Sequence, residues 1–168
     1  CIRDRIKDIF KDDFTKAKST AEKLALAEKL LKQGRETKDD RAARFVLVRL
    51  AADTASQTGD HKLGYQAVEQ MAKEYDVDLL AQKTIVVATA SKQVAAPAAK
   101  ELTEAILQLV DEAIAADQFE TGLLLVKLAE STAAKAKDIP LVTRANSTTK
   151  QVQEIQKEAE TVKAAVET

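Results

Sequence analysis

The chain has 168 residues, enough for a sizeable core, with 45% hydrophobic and 32% charged side chains but only 4 Gly and 2 Pro. That balance is rich in helix formers and poor in breakers, and it excludes an all-β domain, which needs far more turn residues. With 26 basic against 27 acidic side chains, no charge excess draws in a nucleic acid or a membrane surface, and no run approaches the ~18 apolar residues of a membrane span.

Cys1 is the one cysteine, so no internal disulfide forms. A first residue of Cys in place of Met is expected of a processed or truncated terminus; a mature bacterial lipoprotein also begins this way. Ile2, Ile6, Ile9, Phe10 and Phe14 lie three or four apart and predict a first amphipathic helix to about Lys16. Ser19 and Glu22 then have the spacing of a capping box. The second helix turns Leu24, Ala27, Leu30 and Leu31 inward and is expected to stop at Gly34, which tolerates a left-handed cap.

Asp39 or Asp40 caps a third helix whose Phe45, Val46, Leu47, Val48, Leu50 and Ala51 are apolar nearly all round, as in a helix covered on more than one side. Thr58-Gly59-Asp60 ends it and caps a fourth near 61–75, burying Leu63, Ala67, Val68 and Met71. Asp76-Val77-Asp78 is the next junction. Residues 84–89, Thr-Ile-Val-Val-Ala-Thr, have the β-branched density of a buried strand. Their flanks carry no turn residues and a lone strand would leave its backbone unpaired, so 79–94 is read as helix.

Pro97 opens a sixth helix, whose Leu102, Ile106, Leu109, Val110, Ala113 and Ile114 form the cleanest apolar stripe in the chain. Asp117 is expected to cap the seventh. Asp138 caps the last, a long helix over about 139–166 with Pro140 in its first turn. Along it Ala145, Thr148, Val152, Ile155, Ala159, Val162 and Val166 alternate three and four apart, the seam of a coiled coil. The seam suits a capping helix laid along its neighbours, or a self-associating or linker coil.

One stretch recurs. Residues 44–67 come back at 122–145, a constant offset of 78, with Val48, Leu50, Ala51, Thr54, Ala55, Asp60, Leu63 and Ala67 unchanged. Roughly two matches are expected by chance. Recurrence of this kind points to stacked helical hairpins, each burying its apolar face against its neighbours.

Little in the chain points to chemistry. His61 is the single histidine and sits beside the capping Asp60, which reads as a solvated or capping side chain. Glu74, Asp76 and Asp78 lack the glycine and the closing Glu of a calcium loop. The pairs Asp12-Asp13, Asp39-Asp40 and Asp111-Glu112 interleave with Lys and Arg or point about 100° apart on a helix. No Gly-rich loop is present to cradle phosphate. The expectation is no enzyme: no catalytic, cofactor-binding or metal residues, and no cofactor.

Charge is unevenly spread. Residues 1–44 hold thirteen Lys or Arg against nine Asp or Glu, while 101–126 hold six acidic residues and no basic one. Both also fit ordinary solvated helix faces. As a contact surface for a basic partner, Glu101, Glu104, Asp111 and Glu112 are the candidates.

The hairpin turn Gln57-Thr58-Gly59-Asp60, followed by Ala67 and Met71, resembles the tetratricopeptide class of helix-turn-helix repeats, and Ala116-Asp117-Gln118-Phe119 looks like a second such turn. The chain departs from that class in having no Trp, no Leu-Gly pair ahead of a Tyr on the first helix and no closing Pro; the resemblance covers roughly 41–151. The opening IKDIFKDDFTKAKSTAEKLALAEKLLKQGRETKDD is also similar to that of a helical module in large multidomain bacterial proteins. These resemblances imply a single all-α domain over 1–168, about eight helices in consecutive antiparallel hairpins, a tetratricopeptide-like solenoid. They imply a non-catalytic protein-interaction or spacer role inside a larger polypeptide, with a protein partner; the balanced charge and the lack of a long apolar run add the expectation of no nucleic acid and no membrane insertion. Two alternatives stand beside that role: self-association through the C-terminal seam, and a small-ligand-binding or enzymatic helical domain, which would show a deep apolar pocket with convergent polar groups.

Overall fold

The computed structural model describes residues 2–166; Cys1, the expected processed or truncated terminus, and the side chain of Val166 on the expected seam lie outside what is described. Among the described residues there are nine helices and no strand: α1 (Ile2–Ile9), α2 (Lys11–Lys16), α3 (Thr20–Glu36), α4 (Arg41–Ser56), α5 (His61–Glu74), α6 (Leu79–Gln93), α7 (Ala96–Ala115), α8 (Phe119–Ala136) and α9 (Ile139–Val166). The all-α class is as the composition dictates. Where the sequence suggests one domain over 1–168, contacts gather into two compact units, Cys1–Val94 and Ala95–Thr168.

In the first unit, helices adjacent in sequence pack on one another from α3 to α6, and α1 lies on α4. Short capped connections enforce this. Ser19 and Glu22 form the expected box: the Glu22 N–H donates to Ser19 Oγ (3.3 Å), and Ser19 N–H donates to Glu22 Oε2 (2.8 Å), which holds the Glu22 carboxyl below its usual range. Asp40, Asp60 and Asp78 accept from the third backbone N–H of α4, α5 and α6 at 2.8, 3.0 and 2.9 Å. The core is built from Leu30, Val48, Ala51, Ala67, Val68 and Met71, all within 1% of full burial.

Four local expectations are corrected here. The first helix is not continuous to Lys16: Phe10 leaves helical geometry (φ −97°, ψ 13°), so α1 and α2 meet at a bend while Ile6 and Phe10 turn inward and Ile9 is left 69% exposed. Gly34 does not cap α3; it lies inside the helix, buried, where a Cβ would come 2.7 Å from Val48 Cγ2. Leu26 is buried on the same helix, while Leu24 is only half-buried. His61 is neither solvated nor a cap: it is the first residue of α5, 8% exposed, with its ring edge-on to Tyr65 at 5.6 Å.

The β-branched residues 84–89 are helical. Asp78 caps α6, Thr84 Oγ1 donates to Leu80 O (2.8 Å), and Val86 and Val87 are buried. The few tenths of a kcal/mol each β-branched residue loses in a helix is small beside the roughly 1.5–3 kcal/mol gained by burying its side chain.

In the second unit α7 packs on α8 and α8 on α9. Ala99, Leu102, Ile106, Leu109, Val110 and Ala113 form the buried stripe of α7, matched by Leu125, Val126, Ala129 and Ala133 of α8 and Ala145 and Val152 of α9. Asp138 caps α9 through Leu141 N–H (3.0 Å). Asp117 does not cap α8: its φ of 56° is left-handed, and Gln118 takes the N-cap position without a side-chain bond. The hydroxyl-rich stretch of α9 is helical with its hydroxyls satisfied: Ser147 and Thr148 donate to Arg144 O (both 2.9 Å) and Thr149 donates to Glu130 (2.6 Å).

The recurring residues occupy matching environments. Thr54 and Thr132 are buried and donate to the carbonyl four residues back, Leu50 O (2.7 Å) and Leu128 O (2.8 Å). Asp60 and Asp138 cap the following helix, and Ala51, Ala55, Ala67, Ala129, Ala133 and Ala145 are all fully buried.

Candidate interaction surfaces

The acidic face comes from α7 geometry. At 3.6 residues per turn, Glu101, Glu104, Asp111 and Glu112 fall within about 100° of arc and extend over about 16 Å, opposite the buried stripe. Glu101, Asp111 and Glu112 are exposed. Glu104 is half-buried, and its Oε2 accepts from Arg144 Nη1 of α9 at 2.7 Å, so part of its charge is committed inside the unit. Beside it Lys100 Nζ donates to Asp138 Oδ2 (2.9 Å); this bond lowers the Asp138 carboxyl below its ordinary pKa and raises that of the Lys100 amine.

A second surface is the seam of α9. Ala145 and Val152 are fully buried, and a Cβ on Gly122 of α8 would lie 3.6 Å from Val152 Cγ1. Since α8 begins at Phe119, three residues before that crossing, α9 outruns it. The same stripe then emerges: Ile155 is 39% exposed, Ala159 half-buried and Val162 64% exposed.

Where α4 begins against the end of α5, a polar network surrounds an aromatic pair. Arg44 binds the Glu74 carboxylate and donates to Thr37 O (2.6 Å), Gln70 binds the same carboxylate, and Arg41 donates to Glu74 O (2.8 Å). The Arg44 guanidinium holds Glu74 below the usual carboxylate range. Tyr75 donates to Arg41 O (2.7 Å) and stacks edge-on with Phe45 at 5.1 Å; burial pushes its phenol up. Glu74 and Asp78 are thus engaged separately, one with Arg44 and one in a helix cap, and do not converge with Asp76. Among the described residues no group of three or more His, Cys, Asp or Glu is placed to hold a metal ion, and no helix is long and apolar enough to cross a membrane.

The feature that sequence reasoning passed over is a cleft of about 620 Å³ bounded by α1, α2, α3 and α4. Its floor is apolar, with Phe14, Ala17, Leu26 and Leu50, and its walls carry Arg3, Lys7, Lys11 and Lys23 with the carboxylates Asp8 and Asp53. Asp53 is engaged by Arg49 (3.6 Å) and Arg3 (3.9 Å). The sequence signal was the basic excess of residues 1–44, together with the i, i+4, i+8 spacing of Arg3, Lys7 and Lys11. No family model matches the chain, and neither a curated protein nor a solved structure is similar to it.

Proposed function

We propose that this chain is a non-catalytic protein-interaction or spacer module built from tetratricopeptide-like helical hairpins, and that it meets its partner through the distal half of α9. The observation that carries this reading is the passage of one apolar stripe from full burial at Ala145 and Val152 to exposure at Ile155 and Val162. An apolar seam of this kind on a projecting helix fits a complementary helix laid alongside. Charged and polar residues on the flanks, Gln156 and Glu160 bonded to each other at 3.1 Å among them, keep the helix soluble between encounters. The matching environments of Thr54 and Thr132, and of Asp60 and Asp138, support the hairpin-repeat reading.

A second reading is self-association through the same seam. In heptad terms Glu158 stands at g and Lys163 at e, five residues on, the pair that meets across a parallel two-stranded coil. Solution mass, with capture of binding proteins by the wild type and by Ile155→Glu/Val162→Glu, separates the two. Self-association gives a dimer that the double variant abolishes; a foreign partner leaves a monomer and a captured protein that the variant loses. Partners retained by the double variant would refute the seam and redirect attention to the acidic face of α7.

A further inference from the structure

We propose that the cleft bounded by α1, α2, α3 and α4 binds a small organic anion with an apolar body, of the alkyl carboxylate class. Its volume of about 620 Å³ lies in the range of small-molecule sites. Shape alone would admit many ligands. Chemistry narrows them.

The floor is a continuation of the core. Leu26 and Leu50, each 4% exposed, line the cleft at the edge of the core, and Phe14 and Ala17 border it where α2 turns away from α1 at Phe10. An alkyl chain laid there removes apolar surface from water on both sides. The wall is cationic. Arg3 and Lys7 lie one turn apart on α1, Lys11 opens α2 just past the bend at Phe10, and Lys23 of α3 also lines the cleft.

These four basic side chains outnumber the two carboxylates that line the cleft, Asp8 and Asp53, while Asp4 acts on Arg3 and Lys7 from outside the lining. Arg3 shares Asp53 with Arg49, whereas Lys7, Lys11 and Lys23 form no ion pair within the described residues, leaving Asp8 as the one wall carboxylate outside an ion pair. Elsewhere in the same unit Lys29 is held by Asp13 at 2.8 Å and Lys83 by Glu69 at 3.6 Å. Thr54, whose hydroxyl proton is given to Leu50 O, and Gln57 supply polar atoms at the α4 wall. A carboxylate head among lysines with its chain on Leu26 and Leu50 satisfies both halves of the site. A polyanion would leave the apolar floor uncovered, and an alkyl amine would meet like charge.

The test is calorimetric titration of the intact chain with dodecanoate, below its micelle concentration, beside dodecylammonium and acetate, with amide shifts recorded by NMR. The expected result is saturable binding of one dodecanoate per chain, weaker binding of both controls, and shifts centred on Thr54 and Gln57. Lys7→Ala/Lys23→Ala should weaken dodecanoate about tenfold, while Lys150→Ala/Lys157→Ala on α9 leaves it unchanged. Equal affinity for dodecylammonium, the absence of saturation, or indifference to the Lys7/Lys23 change would overturn the proposal. So would an acidic helical peptide that occupies the cleft where dodecanoate does not.

Discussion

Gly64 of α5 faces Val86 of α6 so closely that a Cβ added to the glycine would lie 2.6 Å from Val86 Cγ1. Neither atom can give way easily, because the valine is a short branched side chain buried to 2% exposure. Helix propensity favours Gly64→Ala by about 1 kcal/mol. Overpacking should outweigh it, for a net destabilisation of about 1–2 kcal/mol by urea unfolding. Val86→Ala placed on top should recover part of that loss, a coupling that a double-mutant cycle reads directly. If Gly64→Ala stabilises the chain, the approach of α5 and α6 is looser than described.

The same contact explains what the sequence conceals. Gly34 and Gly64 sit inside helices opposite Val48 and Val86, but a glycine that admits a neighbouring helix is written no differently from one that ends a helix. Most caps were legible, since a cap is decided locally: Ser19, Asp60 and Asp138 bond the backbone N–H that their position dictates, Asp40 does so of the pair Asp39-Asp40, and Asp78 caps α6 from what the sequence offered only as a junction. Asp117 was not, because Asp also tolerates left-handed geometry and adopts it here. The cleft was hidden for a different reason. A lysine every fourth residue describes any solvated helix face, and only the bend at Phe10, with Leu26 and Leu50 arriving from other helices, turns that face into a wall. The α9 seam was visible as a period, but its emergence at Ile155 depends on where α8 begins.

Asp60 and Asp138 should respond alike but not equally to alanine. Each loses an N-cap bond of 3.0 Å, a cost of about 1 kcal/mol. Asp138 also loses the Lys100 contact, so Asp138→Ala should cost the more of the two by thermal unfolding. A cost for Asp138→Ala below that for Asp60→Ala would mean that the Lys100 bond adds nothing to the cap.

Acid should find the Arg44–Glu74 pair. Glu74 is held below the ordinary carboxylate pKa of about 4.3, so the unfolded chain takes up the proton first. The stability this supplies is complete above about pH 4.3 and is lost as pH falls through the lower, folded value. Glu74→Gln removes the charge that Arg44, 20% exposed, is set against, and should cost about 2 kcal/mol at neutral pH. It should also flatten the fall in stability between pH 5 and pH 3, measured by urea unfolding at each pH. An unchanged slope would assign the acid sensitivity to other carboxylates.

Truncation separates the structural half of α9 from its projecting half. Cutting before Gln151 removes Val152, fully buried beside Gly122, and should cost roughly 1.5–3 kcal/mol for that side chain alone. Any assembly lost with it could then be a casualty of folding. Cutting after Gln156 keeps Val152 and Ile155 and removes Val162, 64% exposed, together with Glu158 and Lys163. The shorter cut should leave the unfolding midpoint in urea nearly unchanged while abolishing whatever the seam binds, whether a second copy or another helix. A large loss of stability from this cut would show that the distal turns are packed within the fold, and the seam would then be a capping surface with nothing left to offer a partner.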